Sequence, residues 1–358
     1  MPIHSVTVRI ARIPLCTPYR LSDTVFHHFE PIVVEMWDGD GRYGFGETVI
    51  SKGYSHETLE DGLRWCRDAA SCLVGKSVGE ARALLEPGIA DFPSAASSLL
   101  SALDVLDGHP LLDVPETTRV PLLDPVHSHE PAALADEIET LIARGFRTLK
   151  VKVGFDAHDD LARVRRIQTL LDGRAEIRLD ANRGFTREDG CRFAAALDPR
   201  GIQLFEQPCA SADWDANAAV ARVSTVPVMM DESVYGFEDI DRAAGMEGVG
   251  FVKLKLKKLA SVDRLREGLE RIRAAGLVPV MGDGVATDIC CWLEACVARV
   301  TLDNAGEMNG YLKLVEPLLA EPLPFGDGAI VLEPGYRPRP DPDRLEHMTM
   351  AKERFSAV

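Results

Sequence analysis

Short apolar runs rich in β-branched residues alternate with longer helical patterns from about residue 118 to about residue 320. Residues 130–145 are a typical helical pattern, because apolar positions recur on one helical face between Pro131 in the first turn and Gly145 at the stop. No GxGxxG motif follows the first run, so eight strands with crossover helices favour a (β/α)8 barrel over an open doubly wound sheet. The predicted strands are TRVPLL (118–123), TLKVKV (148–153), EIRLD (176–180), IQLFE (202–206), VPVMMD (226–231), FVKLKL (251–256), LVPVM (277–281) and RVTLD (299–303).

The segments on either side of this alternation have a different pattern. Residues 1–117 combine alternating strands with a glycine-rich turn, GDGRYGFGE, and two helical segments, which predicts an α+β unit of its own. Residues 321–358 are rich in turn residues and too irregular for another barrel unit. The predicted organisation is therefore an α+β domain over 1–117, an α/β barrel over 118–320 and a C-terminal segment over 321–358.

The charge and the cysteines of the chain limit its partners and its compartment. The net charge is −16 and no basic run occurs, so a polyphosphate would be repelled. The eight cysteines form no CxxC pair, and residues 1–14 lack the apolar core of a signal peptide. No apolar run approaches the roughly 18 to 20 residues of a membrane span. We expect a cytoplasmic protein that binds neither nucleic acid nor membranes, and we also expect a homo-oligomer.

Acidic residues close three consecutive predicted strands. Asp180 ends EIRLD, Glu206 ends IQLFE and Asp231 ends VPVMMD, with spacings of 26 and 25 residues that each match about one βα unit. Three converging carboxylates raise one another's pKa unless a cation lies between them. Ligation by oxygen alone favours Mg²⁺ or Mn²⁺ over Zn²⁺. The sequence therefore predicts a divalent metal site at the carboxyl ends of these strands.

Lysines occur inside two of the predicted strands. Alternation in TLKVKV places Lys150 and Lys152 on one face, and this face is the barrel interior if the apolar residues contact the helices. In FVKLKLKK, Lys253, Lys255 and Lys257 alternate to one face. An exposed, lysine-protected edge strand is the alternative, and the neighbouring acidic residues make it the weaker one.

These motifs resemble the enolase superfamily, and specifically its muconate-lactonizing-enzyme-type subgroup, the mandelate racemase/muconate lactonizing enzyme family. The resemblance covers nearly the whole chain and implies a modified TIM (β/α) barrel, an α+β N-terminal capping domain and a C-terminal tail that returns to the cap. It also implies a small-molecule carboxylate substrate that loses its α proton through an enediolate. The motifs that carry it are Lys150-x-Lys152, DAN at Asp180 to Asn182, FEQP with Glu206, DES with Asp231, and the lysines of KLKLKK.

The resemblance also implies roles for single residues. Lys152 would be one acid/base catalyst, and Lys150 would help to hold the substrate carboxylate. The second catalyst should lie about 24 residues after the third ligand, which selects Lys255 over Lys253. The chain lacks the usual Lys-x-Gly-Gly after this strand, so the choice between these two lysines stays open. The implied ligands of Mg²⁺, with Mn²⁺ as the alternative, are Asp180, Glu206 and Asp231.

Substrate specificity is expected from the cap loops and from the last strand ends. By resemblance, loops 17–29 and 49–56 close over the substrate. The HSH segment, with His127 and His129, could be a metal pair, but a polar turn is the simpler interpretation. The substrate-binding candidates are Asn182, Asp283, Tyr19 and Tyr54, followed by Glu307 and by loop residues more often found at surfaces, namely Arg20, His27, His28 and Lys52.

The predicted activity is Mg²⁺-dependent abstraction of the proton α to a carboxylate. A racemase or epimerase of an amino acid or amino-acid derivative, including a proline-like ring, is the leading hypothesis. The alternatives are a dehydratase of a β-hydroxy carboxylate or hydroxyproline-type substrate, and a muconate-type cycloisomerase. A non-catalytic metal-binding scaffold is the remote alternative. No Asp-x-Asp occurs in DNAGEMNG, which makes a dipeptide substrate less favoured.

Overall fold

The structure is a computed structural model that describes residues 2–20, 25–51 and 54–357. The N-terminal elements are β1 (Ile3–Ala11), β2 (Ile13–Arg20), β3 (Val25–Phe29), β4 (Ile32–Asp38), β5 (Tyr43–Thr48), α1 (Leu59–Leu73), α2 (Val78–Leu85) and α3 (Pro93–Asp107). With the C-terminal strand β16 (Thr349–Ser356) they form an antiparallel sheet of order β16-β1-β4-β5, and β2 pairs with β3 separately. The helices contact this sheet, so the cap has a hydrophobic core of its own.

The segment GDGRYGFGE (39–47), which the sequence predicts as a glycine-rich turn, is a strand from residue 43 onward and belongs to β5. The glycines of β5, Gly44 and Gly46, face helix α3, and a Cβ atom at either position would overlap backbone atoms of that helix. Helix α3 is rich in alanine and serine, and serine hydroxyls such as those of Ser97 and Ser98 donate to carbonyl oxygens of their own helix. Small residues on both elements therefore let helix and strand approach closely.

The second domain is a curled parallel sheet surrounded by helices. In the described part of the chain, seven strands follow the order β13-β12-β11-β10-β9-β8-β7. The strands are β7 (Asp124–Val126), β8 (Thr148–Lys152), β9 (Glu176–Asp180), β10 (Ile202–Glu206), β11 (Val228–Met230), β12 (Val249–Leu254) and β13 (Val278–Met281). The helices are α4 (Pro131–Ala143), α5 (Ala157–Leu171), α6 (Arg187–Ala195), α7 (Trp214–Val223), α8 (Phe237–Ala244), α9 (Leu256–Leu259), α10 (Val262–Ala274) and α11 (Asp288–Thr301).

The predicted eighth strand, RVTLD, is wrong. Residues 299–301 are the last turn of α11, a helix that begins after the N-cap Thr287 and is buried along most of its length. The helix therefore continues through Val300, which is itself exposed, to the buried Thr301, and the packing of α11 as a whole overrides the β propensity of these two residues. The barrel closes instead through an irregular segment, in which Gly306 forms a parallel bridge with Leu122.

The predicted first strand, TRVPLL, is also divided differently. Its first half is β6 (Thr118–Pro121), which pairs with the C-terminal strand β15 (Ala329–Leu332) in a sheet that also contains β14 (Phe325–Gly326). The first barrel strand is β7, which pairs with β8. Pro121 is the last residue of β6, where it is paired with Ala329 although it has no backbone N–H to donate.

The C-terminal segment returns to the cap, as the fold prediction requires. After helix α12 (Pro342–Met348), β16 pairs antiparallel with β1 over most of its length. The architecture is thus a modified TIM barrel with an α+β cap completed by the tail, and the fold prediction is confirmed. The boundaries at residues 117 and 320 stay predictions. None of the helices formed by the described residues has the length and apolarity to cross a bilayer.

Candidate active site

The predicted metal ligands end three neighbouring strands of the barrel. Asp180 ends β9, Glu206 ends β10, and Asp231 directly follows β11. Asp180 and Glu206 are register partners in the parallel pair. All three side chains are buried, at most 1% exposed. Because parallel strands bring their carboxyl ends to one rim, the regular spacing in sequence becomes a cluster in space.

Burial and mutual repulsion perturb these carboxyl groups strongly. Burial and the neighbouring Asp180 raise the pKa of Glu206 to about 7. Burial also acts to raise the pKa of Asp180, but the adjacent Lys150 and Lys152 outweigh it and hold that pKa low. The cluster therefore needs nearby positive charge to remain ionised.

Strand β8 directs its lysines into the cluster. Lys150 is 2% exposed, and its Nζ lies 2.9 Å from Asp180 Oδ2 and 3.0 Å from Glu206 Oε2. Burial by itself lowers the pKa of Lys150, but the surrounding carboxylates raise it well above its usual value. Lys152 Nζ lies 2.6 Å from Asp180 Oδ2 and also donates to Asn182 Oδ1. Lys150 is therefore a fixed ammonium, and Lys152 lies nearer the open side of the site.

The lysines after β11 lie on the other side of the cluster. Lys255 Nζ lies 3.0 Å from Asp231 Oδ2, and Lys258 Nζ lies 2.7 Å from Asp231 Oδ1. Lys253 lies deeper in the barrel, where its Nζ is 3.2 Å from Glu206 Oε1 and also contacts Glu307. The positions favour Lys255 over Lys253 as the second acid/base group.

One part of the predicted lysine pattern is wrong. Strand β12 ends at Leu254, Lys255 is the N-cap of α9, and Lys257 belongs to that short helix rather than to the strand. Lys257 nevertheless lines the cavity, where its Nζ lies 2.6 Å from Asp283 Oδ2.

The carboxylate cluster fits a divalent metal ion. Asp180, Glu206 and Asp231 offer oxygen donors from adjacent strands, and the ammonium groups of Lys150 and Lys253 already lie against the same oxygen atoms. Such a centre attracts positive charge, and carboxylate oxygens are the donors preferred by Mg²⁺ and Mn²⁺. These three residues would hold the ion.

A second acidic group, at Asp156, His158 and Asp159, is also close enough for shared metal ligation. It is exposed, and Asp156 is the N-cap of α5, where its carboxylate accepts from the backbone N–H groups of the other two residues. Helix capping fully accounts for this cluster.

The cap contributes tyrosines to the cavity. The hydroxyl of Tyr54 donates to Asp231 Oδ1 at 2.8 Å and accepts from Lys255. Tyr19 is 5% exposed, and its ring lies 4.7 Å from Lys313 Nζ. Both predicted tyrosines therefore line the site together with the barrel lysines.

Other predicted residues lie at or away from the cavity. Asn182, Asp283 and Glu307 line it. His27 is exposed, and His28 lies 3.3 Å from Glu30. The side chain of Arg20 and the whole of Lys52 lie outside the described residues.

The HSH segment forms a polar turn. The backbone N–H groups of His127 and Ser128 donate to the carboxylate of Glu137 in α4, and the side chains of His127 and His129 are exposed. The histidines line a groove beside the active-site cavity.

Some lining residues have no clear signal in the sequence. Arg183 follows Asn182 in a turn where both residues have positive φ, and it lies 3.6 Å from Glu232. Phe26 and Ser51 come from the cap, and Phe26 lies in β3, so the described residues of the predicted loop 17–29 belong to strands β2 and β3. A loop residue of ordinary type becomes part of a site only through folding, so only the unusual DANRG turn could have pointed to Arg183.

Comparisons with known proteins agree with this geometry. The family model described as "Enolase C-terminal domain-like" matches residues 133–342. A hydrophobic dipeptide epimerase of Citrifermentans bemidjiense is 29% identical over 76% of this chain and 78% of its own length. Muconate cycloisomerase 1 of Rhodococcus opacus is 26% identical over 94% of both chains. The crystal structure of an N-succinyl Arg/Lys racemase from Bacillus cereus superposes with a TM-score of 0.89, at 21% identity, over 99% of this chain and 100% of that one.

The matched segment covers more than half of the chain and contains the carboxylate cluster and the lysines of β8 and β12. Three further curated relatives are named as an epimerase, a racemase and a dehydratase. The chain therefore belongs to the enolase C-terminal domain-like family and is an enzyme of the mandelate racemase/muconate lactonizing enzyme group of the enolase superfamily.

Proposed function

We propose that this enzyme is a Mg²⁺-dependent racemase or epimerase that removes the proton α to a carboxylate and returns it on the opposite face. The observation that carries the proposal is the placement of Lys152 against Asp180 and of Lys255 against Asp231. Strands β8 and β12 are separated by three strands in the sheet, so the two lysines approach the cluster from different sides. Inversion of a stereocentre requires an acid/base group on each face.

A proton next to a carboxylate is weakly acidic, because its removal adds negative charge to a group that is already charged. Superfamily members use a divalent metal ion, and here it would supply positive charge at the substrate carboxylate when bound. The ammonium of Lys150 adds a fixed charge at the same position, since its neighbours keep it protonated. One of the two lysines, Lys152 or Lys255, then removes the α proton as the base. The other, as the acid, donates a proton to the opposite face of the same carbon.

We infer that the substrate is an amino acid or an amino-acid derivative, a proline-like ring included. The names of several curated relatives, which are epimerases or racemases of amino-acid compounds, support this class. Tyr19, Tyr54, Asn182 and Asp283 line the cavity and are the proposed substrate contacts.

Proton exchange tests the proposal directly. The enzyme is incubated with Mg²⁺ in D₂O and a panel of N-acyl amino acids, dipeptides, prolines, hydroxyprolines and sugar acids, and the α proton is followed by NMR. We expect exchange with inversion. Lys152→Ala and Lys255→Ala should each lower the racemisation rate by about 10²-fold to 10⁴-fold. Each variant should still exchange the enantiomer whose proton faces the remaining lysine.

The other outcomes identify the alternatives. Loss of water would make the enzyme a dehydratase. Full racemisation by Lys255→Ala, together with an inactive Lys253→Ala, would assign the second acid/base role to Lys253. If no compound of the panel exchanges its α proton although calorimetry shows that Mg²⁺ binds, the proposed activity is contradicted.

A further inference from the structure

The ion pair between Lys257 and Asp283 forms part of one wall of the cavity. Lys257 lies in α9, and Asp283 follows β13 by two residues. Their charged atoms are 2.6 Å apart, and the residues are only 6% and 3% exposed. Both line the same cavity as Lys152 and Lys255.

Surrounding groups hold both members of the pair in place. Glu294 in α11 accepts from the backbone N–H of Leu256 at 2.9 Å and from that of Asp283 at 3.0 Å. Asp283 Oδ1 accepts from the backbone N–H of Val285 at 2.9 Å, and Lys257 Nζ donates to Val49 O of the cap at 3.2 Å. The pair is therefore fixed by the barrel on one side and by the cap on the other.

A buried ion pair of this kind contributes little to the free energy of unfolding. Two charges removed from water lose much of their hydration energy, and replacement of a buried pair by apolar residues is often neutral or stabilising. An ion pair in the wall of a reaction cavity is thus better explained by its effect on the bound ligand.

Every carboxylate that the described residues place in the cavity wall is paired with a cationic side chain. Each has a cationic side chain within 4 Å. A substrate ammonium would therefore have to displace a lysine or arginine of the protein or remain buried without a counter-ion, which is costly. The pairs are Asp231 with Lys255, Glu232 with Arg183, Asp283 with Lys257, and Glu307 with Lys150 and Lys253.

We propose that the Lys257–Asp283 pair selects carboxylates without a free amine, with N-acylated amino acids as the substrate class. The inference rests on the proposed function and narrows it. A neutral acyl amide can lie against the neutral pair without loss of a counter-ion, whereas an ammonium could pair with Asp283, or a second carboxylate with Lys257, only by displacing the partner that is already bound there. Lys257 and Asp283 are then specificity-determining residues.

Three series of substrates test this selection, each with the same set of amino-acid side chains. N-acetyl amino acids carry a neutral group, glycyl dipeptides add an ammonium at the acetyl methyl, and N-malonyl amino acids add a carboxylate there. Exchange of the α proton of the C-terminal residue is measured in D₂O with Mg²⁺. We expect kcat/KM of the wild type to be at least 100-fold higher for the N-acetyl compound than for its glycyl counterpart.

Variants with altered charge provide the matched controls. Lys257→Met leaves the carboxylate and should shift the ratio at least 10-fold toward glycyl substrates, while Asp283→Asn should shift it toward N-malonyl substrates. The double variant restores neutrality and should return to the wild-type order. Circular dichroism and thermal unfolding verify that each variant is folded.

The outcomes separate this inference from the proposed function. The selection is overturned if the wild type exchanges N-acetyl and glycyl compounds with equal kcat/KM. It is also overturned if both single variants lose kcat/KM equally on all three series. Either result leaves the proposed proton abstraction unaffected. Absence of exchange in all three series and in the broader panel overturns the proposed function, and this inference with it.

Discussion

Glu307 holds together the lysines of two strands on opposite sides of the site. Its carboxylate oxygens lie 3.0 and 2.7 Å from Lys150 Nζ, and it also contacts Lys253 Nζ. Burial acts to raise the pKa of Glu307, but these lysines lower it well below its usual value. At the residue scale, this carboxylate is the counter-ion that fixes the ammonium groups at the base of the site.

Removal of the Glu307 charge should therefore destabilise the protein. Glu307→Leu leaves buried ammonium groups with fewer counter-ions, and we expect the free energy of unfolding to fall by about 3 to 5 kcal/mol. Asp303→Asn is the control, because the Arg273–Asp303 pair is exposed and should contribute only about 0 to 1 kcal/mol. Urea unfolding measures both. Equal small losses would show that Glu307 is dispensable as a counter-ion.

At the scale of elements, the joint between β5 and α3 depends on small residues. Gly46 faces the backbone of Ser98 and Ala102, and an added Cβ would overlap these atoms. By contrast, a Cβ atom added at Gly79 in α2 would meet no atom of another element within 4 Å. These two glycines of the cap therefore have different roles, because only Gly46 lies against the backbone of a neighbouring element.

A pair of glycine-to-alanine substitutions tests this difference. Gly46→Ala should destabilise the protein by about 1 to 3 kcal/mol or more, since helix and strand must separate. Gly79→Ala should be neutral or stabilise it by up to about 1 kcal/mol, because alanine favours the helix. Thermal unfolding measures both changes. Similar shifts in the two variants would contradict the proposed close approach.

At the scale of the whole molecule, the cap is joined to the barrel by buried polar contacts. Glu47, near the end of β5, accepts a hydrogen bond of 2.7 Å from the backbone N–H of Thr287, the N-cap residue of α11. Burial, with smaller contributions from Asp283 and Asp288, raises the pKa of Glu47 to about 7. Tyr54 makes a second contact by its hydrogen bond to Asp231.

The raised pKa of Glu47 predicts a pH-dependent stability. The folded protein binds this proton more tightly than the unfolded chain, whose carboxyl has a pKa near 4.5. The resulting stabilisation is complete below about pH 4.5 and is lost as the pH rises through about 7. Glu47→Gln keeps an acceptor for the backbone N–H of Thr287 but does not titrate. Over this pH range its free energy of unfolding should therefore fall by roughly 2 to 3 kcal/mol less than that of the wild type.

Urea unfolding of the wild type and of Glu47→Gln at intervals between pH 4.5 and 8 checks this difference. Glu60→Gln, an exposed residue of α1, is the control and should follow the wild type. Parallel curves for all three proteins would show that Glu47 has an ordinary pKa in the folded protein.

The sequence by itself determined the barrel, the carboxylate cluster and the lysines that face it. Spacing of one βα unit fixes which strand ends share a rim, and alternation within β8 fixes the face of Lys150 and Lys152. Both signals are local and periodic, so they survive without knowledge of the fold. The same carboxylates predicted the divalent metal site, and the resemblance of the motifs added the reaction class and the roles of the lysines.

Only the tertiary structure decided where the periodic signals stop. The first three residues of RVTLD are helical because the largely buried helix α11 continues to Thr301, and Lys257 enters the cavity because the chain turns into α9 after Lys255. The partners of Glu307 and Asp283 are 157 and 26 residues away in sequence, for Lys150 and Lys257 respectively. Contacts of this kind are set by packing of distant segments, which a local pattern does not encode.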